Sequence, residues 1–84
     1  MLFVSTIRAM PGKFDETVRM LKHSKIPDGV EIKEFLGLFG KPDAVVVFDA
    51  RSESLAAEFV SQFGSVAEVS TALAIPVKEL KWTR

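Results

Sequence analysis

The residues of this chain that could carry chemistry are few, and the first is its single histidine, His23. A histidine can act as a general base at neutral pH because its ring gains and loses a proton there. His23 also follows Lys22 near the end of a predicted helix, where a cationic side chain complements the helix dipole. We therefore favour a structural role for His23 and keep general-base catalysis as the alternative.

Two charged residues of predicted strands, Glu34 and Arg8, are further candidates. Glu34 interrupts an apolar face that it shares with Ile32 and Leu36. It is therefore either a tuned acid or base or, as we favour, a charge that protects an edge strand from aggregation. Arg8 ends a central strand, and its guanidinium suits a carboxylate, either Glu34, Asp49 or an anionic ligand. If the chain is an enzyme, His23, Glu34 and Arg8 are its candidate catalytic residues.

One hydroxyl group, that of Ser5, lies within an apolar strand. Side chains alternate along a strand, so Phe3, Ser5 and Ile7 share a face. We expect that face to lie under the helices and to line any pocket between helices and sheet, with Arg8 at its end. Phe3, Ser5, Ile7 and Arg8 are therefore the predicted ligand-binding residues, and no Ser/His/Asp spacing supports Ser5 as a nucleophile.

The composition excludes several kinds of site. The chain has no cysteine, so disulfides, thiolate zinc sites, iron–sulfur clusters and cysteine nucleophiles cannot form. No glycine-rich loop precedes a predicted helix, which argues against a phosphate loop. Lysine and arginine total 11 and aspartate and glutamate total 11, so the basic surplus of nucleic-acid binding is missing. We expect no metal, no cofactor and no nucleic-acid partner.

The helices and strands that position these residues are predicted from the spacing of apolar residues between turn-forming residues. The predicted elements are a strand at 2–8, a helix at 13–24, strands at 30–39 and 44–50, a helix at 53–63 with Ser52 as N-cap, and a strand at 69–80. This β-α-β-β-α-β order is that of the ferredoxin-like α+β fold, with two helices on one face of a four-stranded antiparallel sheet. A chain of 84 residues is expected to form one domain, 1–84.

Right-handed crossovers also predict the order of the strands in space. The last strand then pairs with the first at one edge, and the two strands of the central hairpin follow. Pro76 falls inside the predicted last strand, and an edge position suits it because proline cannot donate a ladder hydrogen bond.

The second face of the predicted sheet is also apolar, since Val45 and Val47 alternate with further apolar residues. A sheet face that contacts water is usually polar, and a footprint of about 300 Å² is comparable to the largest apolar patches of monomers. We therefore predict a homodimer, or a larger even assembly, that packs sheet on sheet. The alternative is that a terminal segment covers this face, although Lys78 to Arg84 is short and charged. Trp82 is predicted to dock on the partner subunit.

The first ten residues resemble neither a signal peptide nor a membrane span, because Arg8 interrupts a short apolar run. No apolar stretch reaches the roughly 18 residues that a membrane helix needs. We expect a cytoplasmic protein with no membrane partner.

Three stretches resemble the dimeric α+β barrel superfamily. Residues 8–16, Arg-Ala-Met-Pro-Gly-Lys-Phe-Asp-Glu, resemble its strand-to-helix entry, as in the antibiotic-biosynthesis-type monooxygenases. Residues 38–46 resemble the hairpin signature of the GYD-domain family, with Gly40 and Asp43 matching and Pro42 standing at the tyrosine. Residues 69–75 resemble the last strand of those domains. The resemblance implies dimerisation through the sheets into a barrel, and it implies no defined biochemical function.

Together these patterns favour a small stand-alone domain that binds a small, mainly apolar ligand between sheet and helices or serves as an assembly module. One alternative is a cofactor-independent enzyme similar to the monooxygenases or isomerases of the superfamily. Another is a regulatory small-molecule sensor domain, which would need a partner protein to supply a DNA-binding part.

Overall fold

The computed structural model describes residues 1–81. Its elements are β1 (Leu2–Ala9), α1 (Phe14–Lys22), β2 (Val30–Gly37), β3 (Ala44–Ala50), α2 (Glu53–Ser61), β4 (Ala67–Ala74) and a short 3₁₀ helix (Val77–Glu79). The strands form one antiparallel sheet in the order β2-β3-β1-β4. This confirms the predicted ferredoxin-like α+β fold and the edge position of the last strand. The predicted docking of Trp82 lies outside the described residues.

The hydrophobic core lies between one face of this sheet and the helices. Alternate residues of the central strands are buried there, namely Phe3, Ser5 and Ile7 of β1 and Ala44, Val46, Phe48 and Ala50 of β3. From the helix side, the ring of Phe59 lies edge-on to Phe48 at a centroid distance of 4.9 Å and to Phe63 at 6.0 Å. Edge-to-face contacts of this kind stabilise an aromatic core beyond the area that they bury.

A β-bulge in β2 changes the face on which its side chains lie. The register with β3 shifts between Ile32 and Glu34, which makes Lys33 an extra residue. As a result Ile32 and Phe35 both lie on the core face, whereas Glu34 and Leu36 lie on the opposite face. The expectation that Ile32, Glu34 and Leu36 share one face is wrong, because strict alternation does not survive a bulge.

Three predicted ends also need correction. β4 ends at Ala74, so Pro76 follows the strand and begins the 3₁₀ helix instead of lying within an edge strand. Helix α1 ends at Lys22, with His23 as its C-cap. Helix α2 ends at Ser61, two residues before the predicted end at 63.

The two helices begin differently. Ser52 caps α2, since its Oγ accepts a hydrogen bond from the backbone N–H of Leu55 at 3.2 Å, as predicted. Helix α1 begins after Lys13, whose side chain makes no capping hydrogen bond within the described part of the chain. Between residues 1 and 81, no helix is long and apolar enough to cross a membrane, and the cytoplasmic location stays a prediction.

Candidate functional site

A cavity of about 540 Å³ opens between α1 and the hairpin of β2 and β3. We call it the α1–β2 cleft. Its lining residues are Phe14, Thr17, Val18, Leu21 and Lys22 from the helix, Phe35, Leu36, Gly37, Leu38 and Phe39 from β2 and the following turn, and Asp43 and Ala44. Small-molecule sites in proteins have volumes of roughly 300–1,000 Å³ and mainly apolar walls, so this cleft has the size and lining of a ligand site.

The cleft exists because the middle and the C-terminal end of helix α1 are attached to the rest of the protein, whereas the start of the helix is not. Among the residues of α1, all of which the structure describes, Thr17 alone is buried. Its hydroxyl donates to the carbonyl oxygen of Lys13 at 2.7 Å and also lies 3.2 Å from the carbonyl oxygen of Val66. Leu21 packs against the core one turn later, whereas Phe14 at the start of the helix is 56 % exposed. The N-terminal part of the apolar stripe therefore borders the cleft and leaves it open.

The far wall of the cleft is held in place by Asp43. Its Oδ2 accepts a hydrogen bond from the backbone N–H of Ala9 at 2.7 Å, and its own backbone N–H donates to the carbonyl oxygen of Ile7 at 2.9 Å. These bonds attach the turn between β2 and β3 to the end of β1. Asp43 thus has a structural task in this turn.

Lys22 is the cation of the cleft, and it forms no ion pair with any described residue. The Thr17 hydroxyl and Oδ2 of Asp43 are used in the hydrogen bonds above, whereas Oδ1 of Asp43 has no hydrogen-bond partner among the described residues. The cleft therefore combines apolar walls with two charged groups, the ammonium of Lys22 and the carboxylate of Asp43.

The three candidate catalytic residues are not brought together. His23 follows α1, where its backbone N–H donates to the carbonyl oxygen of Arg19 at 3.2 Å, and its side chain is exposed. Glu34 and Arg8 are exposed on the opposite face of the sheet, on strands that β3 separates. None of the three lines the α1–β2 cleft, and their catalytic roles stay predictions.

The predicted ligand-binding residues are divided between the core and the opposite face. Ser5 is fully buried, and its Oγ lies 2.7 Å from Oγ1 of Thr71. Phe3 stacks on Phe48 at a centroid distance of 5.5 Å, and Ile7 is fully buried. These side chains fill the core beside the cleft without lining it. Arg8 lies on the other face, and the ligand-binding role of all four stays a prediction.

The sequence does not distinguish the cleft from the core, because apolar residues at helical spacing, here Phe14, Val18 and Leu21, are also typical of a helix packed on a sheet. A signal was present in the sequence: Leu38 and Phe39 continue the apolar run of β2 into a turn, where polar residues are usual. In the structure Phe39 is fully exposed beside the cleft. Apolar residues that extend past a strand toward an amphipathic helix indicate an uncovered apolar wall.

The face of the sheet away from the helices, which we call the open face, is a second candidate surface. Its centre is formed by half-buried apolar side chains of the central strands, namely Leu2 and Val4 of β1 and Val45 and Val47 of β3. Its margins carry polar and charged residues. Among residues 1–81, no group of three or more potential metal ligands comes together on this face or elsewhere.

Comparison with known families gives one result. A family model described as a domain of unknown function (DUF3303) matches residues 1–82. No curated protein and no solved structure matches the chain.

Proposed function

The chain belongs to the DUF3303 family, and we propose that it binds a small, mainly apolar molecule in the α1–β2 cleft. The observation that carries this proposal is the cleft itself, about 540 Å³ between a helix and a hairpin that both present apolar side chains to it. A ligand of this kind would bury surface that the folded chain leaves in contact with water. Burial of apolar surface contributes roughly 25 cal/mol per Å², so covering two or three large side chains can drive binding.

The exposed aromatic residues of the cleft support the proposal. Phe14 and Phe39 lie at its border and are largely or wholly exposed, and Leu38 is partly exposed beside them. Contact with a ligand removes an exposed apolar side chain from water, which lowers the free energy. Aromatic rings are also frequent in ligand pockets. A bound molecule that contacts these side chains would close the cleft from both walls.

The polar groups of the cleft favour binding over catalysis. Thr17 and Asp43 are engaged in hydrogen bonds that hold α1 and the hairpin in place. Lys22 and Oδ1 of Asp43 remain to orient a ligand, and neither a histidine nor a second carboxylate lines the cleft beside them to complete a catalytic set. We therefore place the monooxygenase- or isomerase-like alternative second.

The test is a fluorescence titration with N-phenyl-1-naphthylamine, a neutral apolar probe that brightens on leaving water. We expect saturable binding to the wild-type protein and about tenfold weaker binding to Phe14→Ser, because the lost ring removes about 1.4 kcal/mol or more of apolar contact. Leu73→Ser is the matched control, since Leu73 is 52 % exposed and lies outside the cleft. Absence of probe binding, or equal affinity in wild type and Phe14→Ser, would reject the proposal.

We propose in addition that the open face pairs with that of a second copy. The apolar centre at Leu2, Val4, Val45 and Val47 supports this, because a face of this composition is unusual in contact with water. Packing sheet on sheet would bury roughly 800 Å² on each partner, which is the size of a standard interface. Native mass spectrometry should show an even assembly for wild type and monomer for Val47→Lys; a monomeric wild type contradicts the pairing.

The GYD hairpin signature and the monooxygenase-like helix entry support the same assembly, as a proposed relationship to the dimeric α+β barrel superfamily. Gly40 has a φ of 124°, a conformation that favours glycine. Asp43 attaches the turn to β1 as described above. Both matching residues thus have physical reasons to stand in this hairpin.

A further inference from the structure

A polar pocket lies at one corner of the open face, where β1, β4 and the turn between β2 and β3 meet. Its polar lining consists of Thr6, Arg8, Lys41, Glu68 and Ser70. In the antiparallel pairing of β1 and β4, Thr6 stands directly opposite Ser70 and Arg8 directly opposite Glu68. These four side chains therefore occupy neighbouring positions on one face of the sheet, with Lys41 beside them.

The donors of this pocket are not used within the described part of the chain. Arg8 and Lys41 form no ion pair there, although Glu68 faces Arg8 across the strand pairing. The hydroxyl groups of Thr6 and Ser70 make no side-chain hydrogen bond with any residue between 1 and 81. Two cations and two hydroxyls thus line one shallow, open pocket in which each can still bind a partner.

We propose that this pocket binds the oxyanion group, phosphate or carboxylate, of a small molecule. A guanidinium presents a fork of N–H donors that matches two oxygens of such a group, while an ammonium and two hydroxyls can donate to the remaining lone pairs. Two positive charges against the one carboxylate of Glu68 leave the site net positive. The carboxylate of Glu68 can accept a hydrogen bond from a hydroxyl or ammonium group that lies next to the oxyanion on the same ligand.

This site is separate from the α1–β2 cleft. The cleft lies on the helix side of the sheet, whereas Thr6, Arg8 and Ser70 lie on the open face. It also gives Arg8 a role that its position in the sequence suggested, since a guanidinium at the end of a central strand can pair with a ligand anion. The proposal does not depend on what the cleft binds. It is compatible with the proposed pairing of open faces when the second copy covers the apolar centre at Val4 and Val47 and leaves the corner at Arg8 and Lys41 uncovered.

The test is an NMR titration of the full chain with sodium phosphate, at constant ionic strength maintained with sodium chloride. We expect the amide signals of Thr6, Arg8 and Ser70 to shift and saturate. Arg8→Gln should weaken phosphate binding about tenfold, because it removes the charge-assisted bonds. Arg19→Gln is the matched control, since Arg19 is exposed on α1 and lies outside the pocket.

Parallel titrations with sodium acetate identify the source of the oxyanion. Shifts with phosphate alone assign the pocket to phosphate groups, and shifts with both salts assign it to oxyanions in general. Ser70→Ala provides a second variant, with a smaller loss expected because one hydroxyl donor is removed. Phosphate shifts that do not saturate, or an affinity that is the same in wild type and Arg8→Gln, would overturn the proposal.

Discussion

Helices α1 and α2 are attached to the same sheet in different ways. Helix α2 buries Ala56 and Phe59, and the ring of Phe59 contacts aromatic rings of β2, β3 and the segment after the helix. Helix α1 buries the polar Thr17 and leaves Phe14 largely exposed. The difference shows how one layer of helices can serve two purposes. Aromatic packing under α2 stabilises the fold, and the looser attachment of α1 leaves open the α1–β2 cleft that we propose as a ligand site.

The largest expected effect on stability distinguishes the buried Phe59 of α2 from the exposed Phe14 of α1. Phe59→Ala should lower the free energy of unfolding by about 3–5 kcal/mol, because a fully buried ring is replaced by a cavity. Phe14→Ala should change it by less than about 1 kcal/mol, since this ring is already more than half exposed. Urea denaturation followed by circular dichroism measures both values. Similar losses in the two variants would remove the distinction between the helices.

The next effect concerns the polar attachment of α1. Thr17→Val keeps the shape of the side chain but removes the hydroxyl that contacts the carbonyl oxygens of Lys13 and Val66. We expect a loss of about 1–2 kcal/mol, because two hydroxyl contacts disappear while each carbonyl oxygen keeps a backbone N–H donor. Hydrogen exchange should become faster in α1 and stay unchanged in α2. Equal acceleration in both helices would mean that Thr17 supports the whole fold instead of α1.

The smallest effect concerns the helix starts. Ser52→Ala should destabilise the protein by about 1 kcal/mol, since it removes the oxygen that accepts from the N–H of Leu55. Lys13→Ala should have an effect within about 0.5 kcal/mol, because the side chain of Lys13 caps no backbone group in the described residues. Thermal unfolding measures the stability of both variants. A loss for Lys13→Ala as large as that for Ser52→Ala would contradict the difference between the two helix starts.

Local sequence patterns were enough to predict the order of elements, the strand order and the cap at Ser52. They did not predict the bulge at Lys33, because the residue types of β2 do not indicate it. The bulge places Glu34 on the face opposite that of Ile32. The patterns failed again at α1, where the spacing of Phe14, Val18 and Leu21 predicts an apolar stripe but not the distance between that stripe and the sheet. That distance depends on contacts far apart in sequence, such as that of Thr17 with Val66.

The polar pocket shows the same limit. The sequence singled out Arg8 as a residue that could bind an anion. It could not show that Thr6, Ser70 and Lys41 would lie beside it, since that grouping depends on the β1–β4 register and on the path of a turn.

Hydrogen exchange with and without saturating N-phenyl-1-naphthylamine tests the central claim most directly, namely that α1 is the loosely attached wall of a ligand site. The account predicts that bound probe slows exchange in α1 and in the segment from Phe35 to Phe39, and leaves α2 unchanged. Protection that is absent from α1, or that is equal in both helices, would contradict it.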